Sequence, residues 1–160
     1  MMKQFYLLIS ILFLLSCNNK TEYVPAQGQW IKGNEQEKLK TIENQFRGFD
    51  KTMVEVGYRY QELYWAGQDE NWEYANYQLQ KINKSIKQGL QRRPKRANSA
   101  EYFLSYVIPE VNKSINAKDK GLFDKNFNLM RINCTNCHAK EKVPSFIVGI
   151  PKFRQSPIEK

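Results

Sequence analysis

One histidine, His138, and three cysteines, Cys17, Cys134 and Cys137, are all that this chain of 160 residues has of those two residue types. That scarcity excludes a metal site with two histidine ligands within one chain. It also argues against a zinc cage built on Cys134 and Cys137, since such a cage takes four ligands and only His138 and the remote Cys17 remain. No stretch alternates apolar and polar residues as a strand does, and no internal repeat is visible beyond a shared helical rhythm. Long apolar runs are missing too. Phe5 to Leu15 is too short for an ordinary spanning helix of ~20 residues. No paired base and nucleophile stands out, so no substrate chemistry can be assigned.

What is present is a bulky apolar complement and an excess of positive charge. Apolar residues make up 41% of the chain, among them nine Phe, nine Tyr and three Trp, enough for one core of one domain with an appendage. Formal charge is +9. Such a balance suits acidic partners or anionic surfaces. The basic residues are spread around helices, which argues against nucleic acid.

Residues 1–16 read as a secretory signal peptide, with Lys3 ahead of the apolar run. The run ends in Leu14-Leu15-Ser16-Cys17, which resembles a bacterial lipobox. On that reading Cys17 carries lipid and anchors the protein to a membrane on its periplasmic side; a plain signal peptide beside a stray cysteine is the alternative. Removing the leader takes away only Lys3, leaving about +8. Residues 17–33, polar and holding Pro25, Gly28 and Gly33, read as the lipidated start and a flexible tether.

Residues 34–142 read as four helices. Leu39, Ile42, Phe46, Phe49, Met53, Val56, Tyr60 and Leu63 step alternately by three and four, predicting one long first helix, with Asn34 and Glu37 as its capping box. Asp69 or Asn71 caps a second helix, whose Trp72, Ala75, Leu79, Ile82, Ile86 and Leu90 keep the rhythm and whose Lys81, Lys84 and Lys87 form a solvated face. Pro94 closes it within the basic turn Arg92 to Arg96, either a docking patch or an ordinary charged loop. Asn98 and Glu101 suggest a capping box for a third helix. That helix buries Leu104, Val107 or Ile108, Val111 and Ile115, with Pro109 kinking it from inside. Asp119 caps the fourth. Short connections imply antiparallel neighbours, hence an all-α, up-down-up-down four-helix bundle. Residues 143–160, apolar with prolines and then basic, read as an extended tail.

On the fourth helix Phe123, Phe127, Met130, Cys134 and Cys137 form one stripe, and His138 follows. Cys134-Thr135-Asn136-Cys137-His138 is C-x-x-C-H, the attachment pattern of a c-type haem: two thiols for thioether bonds and an imidazole for the iron. A thioredoxin-like redox pair shares C-x-x-C but belongs at a strand–helix junction, and this context is helical. The stripe places one covalent haem c among the helices, with Phe146, Ile147 and Val148 expected at its edge. His138 is then the proximal ligand. Met53, on the seam of the first helix, is the candidate distal ligand or distal-face residue, and core filler is its plainer role. Met130, eight residues before His138 on the same helix, is badly placed to reach the opposite face. Gly57, one turn beyond Met53, would let a macrocycle approach the backbone; Arg59 or Lys142 could meet a propionate.

From Gln45 onward the chain resembles the cytochrome c′-like class, in particular small exported cytochrome-c-like proteins. The resemblance rests on Met53, Gly57 and Arg59, on Asn71, Trp72 and Ala75, and on C-x-x-C-H followed by Phe146-Ile147-Val148. It implies a distal residue supplied by the first helix, either a ligand or an apolar group that leaves iron open. The expected function is single-electron transfer in the bacterial cell envelope, to a redox partner with an acidic docking surface. A homodimer is compatible with such a bundle. The alternative is a five-coordinate haem that binds a small gas such as nitric oxide, as carrier, scavenger or sensor. A peroxidase-like enzyme is disfavoured by the want of a distal histidine.

Overall fold

Helices and their connections account for all the regular structure among the described residues, and no strand occurs there. The structure is a computed structural model that describes residues 28–155, 157 and 158. The expected leader, Cys17 and most of the tether lie outside the described residues. The chain divides into two units, one ending at Ile42 and the other beginning at Glu43.

Helix α1 (Glu35–Gln45) begins with the expected capping box: the Asn34 side chain accepts from the Glu37 N–H at 3.0 Å, and Glu37 accepts from the Asn34 N–H at 2.8 Å. It buries no residue, and Leu39 is 63% exposed. The single long first helix therefore needs correcting. Arg47 adopts the left-handed region at φ 58° and Gly48 is extended, so α1 stops and α2 (Phe49–Gln68) starts afresh. The three–four rhythm runs across this break because both helices keep it, and the break itself was signalled by Arg47-Gly48.

Helix α2 buries Thr52, Val56, Tyr60, Leu63, Ala66 and Gly67 along one face. Helix α3 (Trp72–Arg92) is capped by Asn71, whose side chain accepts from the Tyr74 N–H at 3.2 Å, and it buries Ala75, Leu79, Ile82 and Ile86 as the spacing predicts. The two meet in opposite sequence order: Thr52 with Arg92, Arg59 with Gln78, Glu62 with Tyr74. Close approach depends on small residues. A Cβ on Gly89 would strike Phe49 and Thr52, and one on Gly67 would strike the Phe123 ring.

A 3₁₀ turn at Pro94–Arg96 leads into α4 (Ala97–Tyr102), then a π-helical turn (Phe103–Val107), then α5 (Ile108–Ala117). The proposed capping box at Asn98 and Glu101 does not form, because Pro94 has already opened a turn and Asn98 lies inside α4. Pro109 offers no N–H and would crowd the carbonyl of Ser105. The wider π turn just ahead of it absorbs that misfit, and the rod continues.

Asp119 caps α6 (Lys120–Lys140), its side chain accepting from the Leu122 N–H at 2.9 Å. Phe123, Phe127 and Met130 are buried at its start. Phe127 stacks on Tyr60 at 4.7 Å between ring centroids, and Phe123 stacks on Phe127 at 5.8 Å. These rods share one apolar core, an arrangement compatible with a helical bundle. Among the described residues no helix is long and apolar enough to cross a membrane.

Removing a fully buried ring leaves a cavity that packed helices fill only in part. Phe123→Ala is therefore expected to lower unfolding free energy by ~3–5 kcal/mol. Leu39→Ala, on the exposed α1, is expected to change it by no more than ~0.5 kcal/mol. Urea unfolding of both variants checks this, and comparable losses would restore a continuous first-helix seam.

Candidate functional site

The stripe on α6 changes surroundings as it proceeds. Phe123, Phe127 and Met130 are sealed in the core, whereas Cys134 and Cys137 are half-buried and face a cleft. Helical spacing sets Cys134, Cys137 and His138 on one wall of it. Helix α2 supplies another wall through Phe49, Met53, Val56, Gly57 and Tyr60. Ile86 of α3, Ala100 of α4, Phe103 of the π turn and Val148 of the tail complete the lining. The cleft is small, about 130 Å³, and partly open to solvent.

The imidazole of His138 is held by main chain. Its Nδ1 lies 2.6 Å from the carbonyl oxygen of Phe146. A carbonyl only accepts, so Nδ1 is the donor, and in the neutral ring Nε2 is the nitrogen left with a lone pair. A backbone partner of this kind is the usual means of orienting a histidine that ligates metal. The tail is fixed in turn. Thr135 Oγ1 accepts from the Val148 N–H at 3.1 Å, Arg131 donates to the Val148 carbonyl at 3.3 Å, and the Tyr60 hydroxyl donates to the Gly149 carbonyl at 2.9 Å. Arg154 farther along pairs with Asp69 at 2.6 Å and lies over the Trp65 ring.

Burial shapes the titrating groups. It pushes the Cys134 thiol up to about 12, with the neighbouring Cys137 adding to the effect. Cys137 is raised by burial as well, with Glu141 contributing. Both thiols are thus protonated at neutral pH in this environment. Burial also raises the Tyr60 phenol, which stays a neutral donor to Gly149.

Of the residues singled out by sequence, the cleft gathers Cys134, Cys137, His138, Met53 and Gly57. A Cβ built on Gly57 meets nothing within 4 Å, so the backbone there faces open space. Met130 is fully buried and lines no part of the cleft. Arg59 is occupied elsewhere: it bonds Glu55 at 2.8 Å and Gln78 at 3.2 Å and lies beside the Tyr58 and Tyr77 rings. Neither Arg59 nor Lys142 lines the cleft. Only Val148 of the expected tail trio does; Ile147 is 74% exposed, and Phe146 sets its ring edge-on to His138. Sequence reasoning missed Ala100, Phe103 and Ile86 as lining residues, and missed Arg96. The last lies over the Phe49 ring at 5.6 Å and pairs with Glu141 just past the end of α6.

Two thiols, one oriented imidazole and an apolar enclosure suit a flat apolar group bonded at its edge and ligated at its centre. Comparison with protein-family models, with curated proteins and with solved structures finds no match for this chain.

The Thr135 side chain ties a tail N–H to the thiol-bearing turn of α6. Thr135→Val keeps its shape and strands the Val148 N–H, which is expected to lower unfolding free energy by ~1–3 kcal/mol. Limited proteolysis is expected to cut between residues 143 and 150 sooner than in the parent; an equally resistant tail would mean that this bond does not hold it.

Proposed function

We propose that this chain is a c-type cytochrome of the cytochrome c′-like class, passing single electrons in the bacterial cell envelope. Its fold would be an antiparallel up-down-up-down bundle with one haem bonded through Cys134 and Cys137. The observation that carries this reading is the shared wall of the cleft. Both thiols and the imidazole stand on it, and the Phe146 carbonyl leaves Nε2 as the free donor. The open space at Gly57 adds to it, since a larger residue there would fill the room a planar group needs.

When bound, a haem of this type supplies a one-electron iron couple whose potential follows its axial ligands, its burial and its hydrogen bonds. The chain's own residues do the rest. Cys134 and Cys137 hold the edge, His138 ligates and is oriented by Phe146, and Val56, Ile86, Ala100 and Phe103 exclude water. Met53 is the distal candidate. Tyr60, another lining residue with a donor atom, is engaged with Gly149. Ligation by His138 and Met53 together would raise the potential relative to histidine alone.

On the same reading residues 1–16 direct export and Cys17 carries the lipid anchor, so thioether formation takes place on the periplasmic side. The surplus of positive charge fits an acidic redox partner. The open space beside Gly57 also favours a second reading, in which Met53 stays off the iron and the protein binds a small gas such as nitric oxide.

The optical spectrum of the purified protein, in both oxidation states, separates these. Met53 ligation predicts a weak red charge-transfer band in the ferric protein that Met53→Ala abolishes. A high-spin resting spectrum with rapid nitric oxide binding would overturn electron transfer in favour of gas binding.

A further inference from the structure

Beside the cleft, where α2 begins, cationic side chains outnumber carboxylates. Phe49, the first residue of α2, lines the cleft, and the Arg96 guanidinium lies over its ring. A Cβ on the preceding Gly48 would stand 3.6 Å from an Nη atom of Arg93. Arg92 reaches the same turn, donating from Nη2 to Thr52 Oγ1 at 2.9 Å. A second, polar hollow lined by Glu43, Arg47, Gly48, Arg92 and Arg93 adjoins the cleft here, since Gly48 borders one and Phe49 the other. Asp50 and Glu141 are the carboxylates paired at this rim, with Arg47 and Arg96 respectively. Among the described residues no carboxylate forms an ion pair with Arg92, Arg93, Lys95 or Lys51.

We propose that this arginine collar is the docking face for an acidic protein partner, which seats carboxylates on Arg92, Arg93 and Lys95 and brings its own redox group against Phe49. The inference rests on the cytochrome reading and adds to it the place of electron exchange. Three features support a protein carboxylate surface as the occupant. Guanidinium groups present a planar fork matched to carboxylates. Arg92 and Arg96 are held in place by Thr52 and Glu141, so little freedom is lost on docking. The collar also meets the cleft at Phe49, over whose ring Arg96 lies, so docking there shortens the path for an electron.

The test uses the haem-loaded full chain, reduced, in stopped flow at low ionic strength. One electron passes to one hexacyanoferrate(III) ion, which becomes hexacyanoferrate(II). Arg93→Glu with Lys95→Glu is compared with Lys118→Glu with Lys125→Glu, an equal charge change; Lys125 lies nine residues, ~13 Å, before Cys134 along α6. The collar pair is expected to slow hexacyanoferrate ~10-fold or more, to speed the cationic oxidant tris(phenanthroline)cobalt(III), and to abolish inhibition by polyglutamate. The distant pair is expected to change each far less, and midpoint potentials of all variants separate docking from driving force. Equal effects from both pairs, or inhibition by phosphatidylglycerol vesicles without inhibition by polyglutamate, would overturn the docking face while leaving the cytochrome reading intact. A purified chain with no haem would overturn both.

Discussion

Tyr60 is the point on which the arrangement turns. Its ring stacks on Phe127 and so sets α6 against α2, while its hydroxyl holds the Gly149 carbonyl of the tail. Phe123 and Tyr64 extend the same aromatic cluster around Phe127. Each such pair contributes on the order of 0.5–1.5 kcal/mol beyond burial. More important than the sum is the register. With Phe127 fixed over Tyr60, the residues two and three turns farther along α6 are Cys134 and His138, and they come level with the start of α2 at Met53 and Phe49. The apolar stripe thus leaves the core and enters the cleft without changing face.

From that register the chemistry of the cleft follows. The tail returns along α6 and is bonded at Phe146, Val148 and Gly149, so a carbonyl stands opposite His138 Nδ1. Burial keeps both cysteines as thiols, the form in which they await covalent attachment on the proposed reading. On the proposed reading the apolar interior and the basic rim have separate parts: one would set the environment of an iron centre, the other which surface approaches it.

The residues of the cleft were legible in the sequence to the extent that chemistry is written in residue type. Cys134, Cys137, His138 and Met53 stand out by scarcity and spacing, and the buried faces of α3 and α6 follow from periodicity. The break at Arg47-Gly48 is marked only by its glycine, a local signal that the apolar rhythm running across it outweighs. The Phe146 carbonyl could not be foreseen, since every residue but the folded path carries the same carbonyl. Arg59 shows the converse. Its type suits a propionate, yet Glu55 and Gln78 hold it on the helix surface, and Arg96, with no motif to mark it, reaches the rim instead.

On the proposed reading Cys134 and Cys137 bond one haem in this cleft. Intact mass of the chain purified after expression with c-type maturation tests it most directly. A single species heavier by one haem is expected, with the added mass on the peptide containing residues 134–138. A chain of unmodified polypeptide mass, or one whose colour is lost entirely to acid–acetone, would contradict it.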